Sequence, residues 1–145
     1  MSVLSDIEIE ERLGVGVLGI APFEPSCLNG AGYDLRLAMD ASVPPGKHAL
    51  VATMERVELP DDLAGTLHIR SSLARAGILA SLALIDPGFR GQLTISLYNA
   101  GIETLRMSKG DTFVQMVLHS LGIKTRRTYR GKYQDSQGIV ETRHK

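Results

Sequence analysis

Apolar and polar positions alternate with a period of two, most clearly where Leu93, Ile95 and Leu97 alternate with Thr94, Ser96 and Tyr98. That period turns one side of the segment inward, as in a half-buried strand. Comparable short runs predict strands over 33–37, 47–53, 64–69, 79–84, 92–98, 104–107 and 112–120. Turn formers punctuate them at Pro44-Pro45-Gly46, Pro60-Asp61-Asp62, Pro87-Gly88 and Lys109-Gly110-Asp111. Many short strands with frequent turns predict a β-sandwich or jelly-roll-like barrel. Near the start the period changes. Ser5-Asp6-Ile7-Glu8 is a capping box, and Ile7, Ile9 and Leu13 supply an apolar side. A short helix is predicted over 6–13, ended by Gly14, with packing as its role.

From about Lys124 the chain turns polar and basic, with Lys124, Arg126, Arg127, Arg130 and Lys132, loosened by Gly131 and Gly138. The expected organisation is one β-barrel domain over 1–123 and a mobile C-terminal arm over 124–145. Composition alone fits a solvated tail as well as a functional arm.

A chain of 145 residues with 43% hydrophobic residues can bury one real core. Its 16 basic residues balance 16 acidic ones, which argues against bulk binding of nucleic acid, so any anion site is local. The lone Cys27 excludes an intramolecular disulfide framework. No apolar run of membrane-spanning length and no basic leader stands out, so a soluble, cytoplasmic protein is expected, with no membrane partner.

Candidate chemistry starts at Arg70-Ser71-Ser72-Leu73-Ala74-Arg75. Ser71 or Ser72 is a good N-cap and Gly77 a good stop for a short helix whose free N–H groups, with Arg70 and Arg75, suit a phosphate. A capped connector with surface arginines is the competing reading. Asp86 stands before Pro87-Gly88. It is either a turn former or a base for water attacking phosphorus. Ala83, Leu84 and Ile85 predict a buried approach, which would raise its pKa. Phe89 is a core aromatic or a platform for a sugar ring. In the glycine-rich Asn29-Gly30-Ala31-Gly32-Tyr33, which is not a P-loop, the following Asp34 is either a metal-side carboxylate or an arginine's partner. Gln115, alone in an apolar strand, needs a cross-strand or ligand partner. Cys27, His48, His68, His119 and His144 form no metal-ligand spacing, and neither a zinc-deaminase signature nor a Gly-x-Ser-x-Gly elbow is present.

Taken in order, these segments resemble the superfamily of dUTP diphosphatases and dCTP deaminases. The opening Leu4-Ser5-Asp6-Ile7-Glu8-Ile9 and Ile20-Ala21-Pro22-Phe23 resemble the deaminase branch with its archaeal-type diphosphatases. Ala31-Gly32-Tyr33-Asp34-Leu35, the run from Arg70 to Gly77, Ile85-Asp86-Pro87-Gly88-Phe89-Arg90-Gly91 and Gly110-Asp111 through Gln115 resemble the successive diphosphatase motifs. Gly131-Lys132-Tyr133-Gln134 through Gly138 resembles the closing arm of the deaminase branch, with a shifted glutamine spacing that leaves Gln137 without a role.

The resemblance implies a distorted, jelly-roll-like β-barrel of the dUTPase type, with a short N-terminal helix and one short internal helix. Between the two activities the reading turns on Thr94-Ile95-Ser96-Leu97-Tyr98-Asn99. Deaminases of the family carry a proton-shuttling glutamate where Ser96 stands, and tend to carry arginine where Leu84 stands. Both departures point to a Mg²⁺-dependent dUTP diphosphatase making dUMP and pyrophosphate, which keeps uracil out of DNA and supplies dUMP for dTMP synthesis. By resemblance, Asp86 would activate water and Phe89 would pack on deoxyribose. Arg70, Ser71, Ser72, Arg75 and Gln115 would hold phosphates, and Asp34 would reach the metal through water. Backbone groups around Ile85 would read uracil, and Lys132 and Tyr133 would close over the triphosphate. Family members are usually homotrimers with shared sites. The alternatives are a dCTP deaminase or bifunctional enzyme with a relocated proton shuttle, and a nucleotide-sensing or partner-binding member without turnover.

Overall fold

The computed structural model describes residues 2–143; the last two residues of the expected arm, with His144, lie outside them. Helix α1 (Asp6–Gly14) forms as its capping box predicts: the Ser5 hydroxyl accepts from Glu8 N–H and the Glu8 carboxylate accepts from Ser5 N–H. Ile9 is its buried anchor. Arg12 clamps Asp62 through two parallel bonds of 2.9 Å, and the guanidinium holds the Asp62 carboxyl below the usual carboxylate range.

Two four-stranded antiparallel sheets enclose the core. One has the order β1 (Gly19–Ala21), β5 (His48–Glu58), β8 (Arg90–Asn99), β7 (Ile78–Ser81). The other runs β2 (Leu28–Asn29), β3 (Gly32–Arg36), β10 (Thr112–Ser120), β6 (Leu63–Ile69). A small ribbon pairs β4 (Ala41–Val43) with β9 (Leu105–Met107). The expected alternation holds from Thr94 onward: Ile95 and Leu97 are buried, while Thr94, Ser96 and Tyr98 face outward; Leu93, expected inward, is only half-buried. Tyr33, Leu35, Phe113, Met116 and Leu118 fill the space between the sheets. Burial pushes the Tyr33 phenol up to about 12, and its oxygen accepts from Glu24 N–H.

A bulge in β5 between Ala52 and Arg56 turns Glu55 inward. Its carboxylate is fully buried and accepts from both the backbone N–H and the guanidinium Nε of Arg36, tying β5 to β3. Gln92 donates to the carbonyls of Thr53 and Met54, so the bulge's free acceptors are satisfied from β8.

The strand predicted over 79–84 ends at Ser81. Residues 82–84 join no strand, and Leu84 is 57% exposed. The short internal helix α2 (Ser71–Arg75) begins after Arg70, which occupies the N-cap without a side-chain bond, so neither Ser71 nor Ser72 caps it. Gly77 ends it at φ +85°, a conformation that favours glycine. No helix among the described residues is long and apolar enough to cross a membrane.

Candidate active site

A cleft of about 390 Å³ lies over the outward side of β8, a size suited to a small organic ligand. Leu50 of β5, Gln92 and Thr94 of β8, the segment 83–86, and Phe89 form its walls. The C-terminal arm forms the rest through Tyr129, Tyr133, Ser136, Val140 and Thr142.

Specific contacts hold the arm there. Tyr129 N–H donates to Pro87 C=O, Asp135 N–H to Arg90 C=O, and Gln92 N–H to Ser136 C=O, each at 2.8–2.9 Å. Farther along, Gly138 N–H donates to Gln92 Oε1 and Val140 N–H to Thr94 Oγ1. Gln134 bridges the turn, accepting from Arg90 N–H and donating to Gly88 C=O. Gln134 is thus the arm glutamine fixed against the barrel, while Gln137 is exposed. Asp135 takes φ +58° and meets both Arg90 and Arg56; the hydrogen bond from Arg90 holds its carboxyl below the usual range. Two glycines admit this approach. A Cβ on Gly88 would lie 2.6 Å from Thr128 Cβ, and one on Gly91 2.8 Å from Ser136 N.

The structure sorts the residues singled out in the sequence into two groups. Ile85, Asp86, Phe89 and Tyr133 line the cleft. Phe89 is 7% exposed and meets Tyr129 edge-to-face at 5.4 Å, so it serves core and cleft together. Asp86 is exposed; of the buried approach expected for it only Ile85 is buried, while Ala83 and Leu84 lie on the surface. Ile85 exchanges both backbone bonds with Gly65, its N–H donating at 2.8 Å and its C=O accepting at 2.9 Å. Its N–H is therefore not free to read a base, and the adjoining backbone outside any strand is 82–84. Tyr133 donates its N–H to the Tyr129 hydroxyl. Lys132 lies over the Tyr133 ring at 5.6 Å, outside the cleft lining.

The second group sits on the other sheet and on α2. Asp34 and Gln115 face each other across β3 and β10. Arg70 Nε is 3.6 Å from Asp34, and Arg70 also bonds Thr112, so Asp34 has an arginine partner. Gln115 donates to Asn29 Oδ1 at 3.2 Å. Ser71, Ser72 and Arg75 are exposed on α2. None of these residues lines the cleft beside Asp86, so one chain does not bring the cationic run and the cleft to a common ligand.

Sequence reasoning missed Gln92, which joins the bulge to the arm, and His48, whose Nε2 lies 2.7 Å from Ser96 Oγ. For Gln92 the only signal is a polar residue opening an apolar strand. For His48 there is none, because 48 positions separate it from its partner.

A two-sheet β-fold with a nucleoside-sized cleft covered by its own C-terminal arm places the chain in the dUTPase-like structural class. Solved structures of that class match it. A dCTP deaminase from Agrobacterium tumefaciens superposes with a TM-score of 0.71 at 18% identity, over 83% of this chain. The match covers 48% of that enzyme, so this chain spans about half its length. The dUTPase of Staphylococcus bacteriophage 80alpha with dUPNHPP superposes at 0.63 and 17% identity, over 84% of this chain and 96% of that one.

Sequence relatives narrow the class. The dCTP deaminase-like family model matches residues 38–121, more than half of the chain. A dCTP deaminase of Thermococcus gammatolerans is 44% identical over 95% of this chain and 94% of the relative. A dCTP deaminase of Pyrococcus horikoshii is 44% identical over 87% of this chain and 90% of its own. The chain belongs to the dCTP deaminase family. The sequence-based assignment to the dUTP diphosphatases is thereby corrected: it rested on Ser96 and Leu84, and two side chains do not outweigh likeness along almost the whole chain to archaeal deaminases.

Proposed function

We propose that this protein deaminates dCTP, with water replacing the 4-amino group of cytosine to give dUTP and ammonia. The observation that carries this reading is the 44% identity to an archaeal dCTP deaminase over 95% of the chain. The product feeds the supply of dUMP and hence of thymidine nucleotides.

The cleft suits the substrate. Leu50, Leu84, Leu93 and Phe89 offer apolar surface to a pyrimidine and a deoxyribose, and the docked arm forms the facing wall. Phe89 packs on the sugar, and the exposed Asp86 offers its carboxylate to the sugar hydroxyl or to the reacting water. Backbone groups of 82–84 read the base, and Tyr133 and Lys132 of the arm close over the ligand.

The phosphates belong to Arg70, Ser71, Ser72, Arg75 and Gln115 of a neighbouring copy in a homotrimer. Separation of these residues from the cleft within one chain supports a shared site. Mg²⁺ would come with the triphosphate and would supply neutralisation of its charge. The partly buried Asp34 carboxylate, which keeps Arg70 Nε at 3.6 Å, supports a contact to such a metal through water.

Incubation with Mg²⁺ and dCTP, followed by anion-exchange analysis, tests the reading. Conversion of dCTP to dUTP is expected. Intact dCTP, or formation of dUMP and pyrophosphate from dUTP instead, overturns it.

A further inference from the structure

The cleft's floor continues past Leu50 to a histidine–serine pair. Pairing of β5 with β8 sets Leu50 opposite Ser96 and His48 opposite Tyr98, all on the outward side. His48 reaches diagonally to Ser96, Nε2 to Oγ at 2.7 Å. Ser96 is thus adjacent, across the sheet and along the strand, to Leu50 and Thr94, which both line the cleft. The other described imidazoles, His68 and His119, lie on β6 and β10 of the opposite sheet, both at the Thr66 hydroxyl.

Deamination moves protons twice. The attacking water loses one as the C4–O bond forms, and the amino group gains one as the C4–N bond breaks. A serine hydroxyl alone cannot hold such a proton near neutrality, whereas imidazole exchanges one there. A hydroxyl within hydrogen-bond reach of an imidazole is the arrangement by which a base acts through oxygen.

We infer that His48 and Ser96 form the proton-transfer pair of the reaction, an inference that rests on the deaminase reading. The Ser96 hydroxyl accepts a proton from water while passing its own to His48 Nε2, and the water oxygen bonds to C4 as the C4=N3 π pair moves onto N3. The proton returns along the same path to the amino nitrogen, the C4–N bond breaks with its electron pair on nitrogen as the N3 pair re-forms the C4=N3 bond, ammonia leaves, and the remaining proton of the former water moves to N3 to give the uracil C4=O. Atoms balance as dCTP plus water giving dUTP plus ammonia. His48 acts through Ser96 and is therefore a positioning and proton-holding residue. The titratable and charged groups beside it are Tyr98, opposite it across the ladder, and Lys47, which precedes it on the entering turn. The facing residues of β7, Leu79 and Ser81, carry no charge.

The test measures kcat, KM and the pH profile of dCTP deamination for the wild type, His48→Gln, Ser96→Ala and His48→Gln/Ser96→Glu. The exposed position of His48 lets the variants fold, which thermal unfolding checks. Both single variants are expected to lose roughly 10²-fold or more in kcat with little change in KM. His48→Gln should also lose the acid limb of the kcat profile, and the double variant should recover turnover with a carboxylate in place of the pair. An active wild type with His48→Gln unchanged in kcat and pH profile overturns this inference alone. So does loss in Ser96→Ala without loss in His48→Gln. A wild type that leaves dCTP intact overturns the deaminase reading and this inference with it.

Discussion

Replacing Gly91 with alanine should open the cleft without unfolding the protein. Gly91 sits at φ +146°, and a Cβ there would lie 2.8 Å from the backbone nitrogen of Ser136 and 3.1 Å from its carbonyl oxygen. The obstacle is backbone, so no side-chain rotation relieves it; either β8 distorts or the arm lifts. Lifting the arm at this point costs the bonds Asp135 N–H to Arg90 C=O, Gln92 N–H to Ser136 C=O and Gly138 N–H to Gln92 Oε1. At about 1 kcal/mol net for each bond, the arm loses ~2–3 kcal/mol of docking free energy. Around Gly91, β8 is ladder-paired to β5 through Arg56, Val57 and Glu58, whereas the arm lies outside both sheets, so the arm is the element that yields. Because Tyr133, Ser136, Val140 and Thr142 line the cleft from the arm, dCTP affinity should fall by ~30- to 150-fold. Isothermal titration with dCTP measures this, and trypsin cleavage at Arg126, Arg127 and Arg130 reports the arm directly. Unchanged affinity together with an unchanged cleavage rate would refute the reasoning.

Glu55→Gln replaces a fully buried carboxylate and sets an amide donor against the Arg36 guanidinium, so stability should fall by about 3 kcal/mol. Thermal unfolding should show a Tm lower by ~10 °C. Arm docking should weaken in acid. The Asp135 carboxyl is held below its usual range, so its ion pairs with Arg90 and Arg56 contribute fully above the unfolded value of about 4 and fade as pH falls below it. Asp135→Asn tolerates the same positive φ and should loosen the arm at pH 7 and remove that acid dependence, as amide hydrogen exchange of the arm would show. Gly65→Ala would place a Cβ 2.9 Å from Ile85 Cδ1 and 3.1 Å from its Cβ, pushing the Asp86 turn outward. kcat/KM should then fall by roughly 10- to 100-fold while the fold survives, as steady-state kinetics and thermal unfolding would show.

Strands with strong alternation or a long apolar run were legible from sequence: β10 spans the residues expected, and β3, β6 and β8 differ only at their ends. The short strands β1, β2 and β4 carry too few residues for a period and exist through distant partners, as Ala41–Val43 does through Leu105–Met107. An apolar run misled at 82–84, where Leu84 lines a cleft and its apolarity serves no buried strand. The cleft residues Ile85, Asp86, Phe89 and Tyr133 were visible in their motifs, because turns and aromatics announce themselves locally. The choice between the two activities is not legible in Ser96 and Leu84 as single side chains, and the bond of Ser96 to His48 arises from the register of β5 on β8, which no local pattern encodes.

The most direct measurement is the ammonia released per dCTP consumed by the wild-type protein with Mg²⁺, with phosphate products followed in the same reaction. One ammonia for each dCTP, appearing with dUTP and without pyrophosphate, is expected. Consumption of dCTP without ammonia, or no consumption at all, would contradict the account.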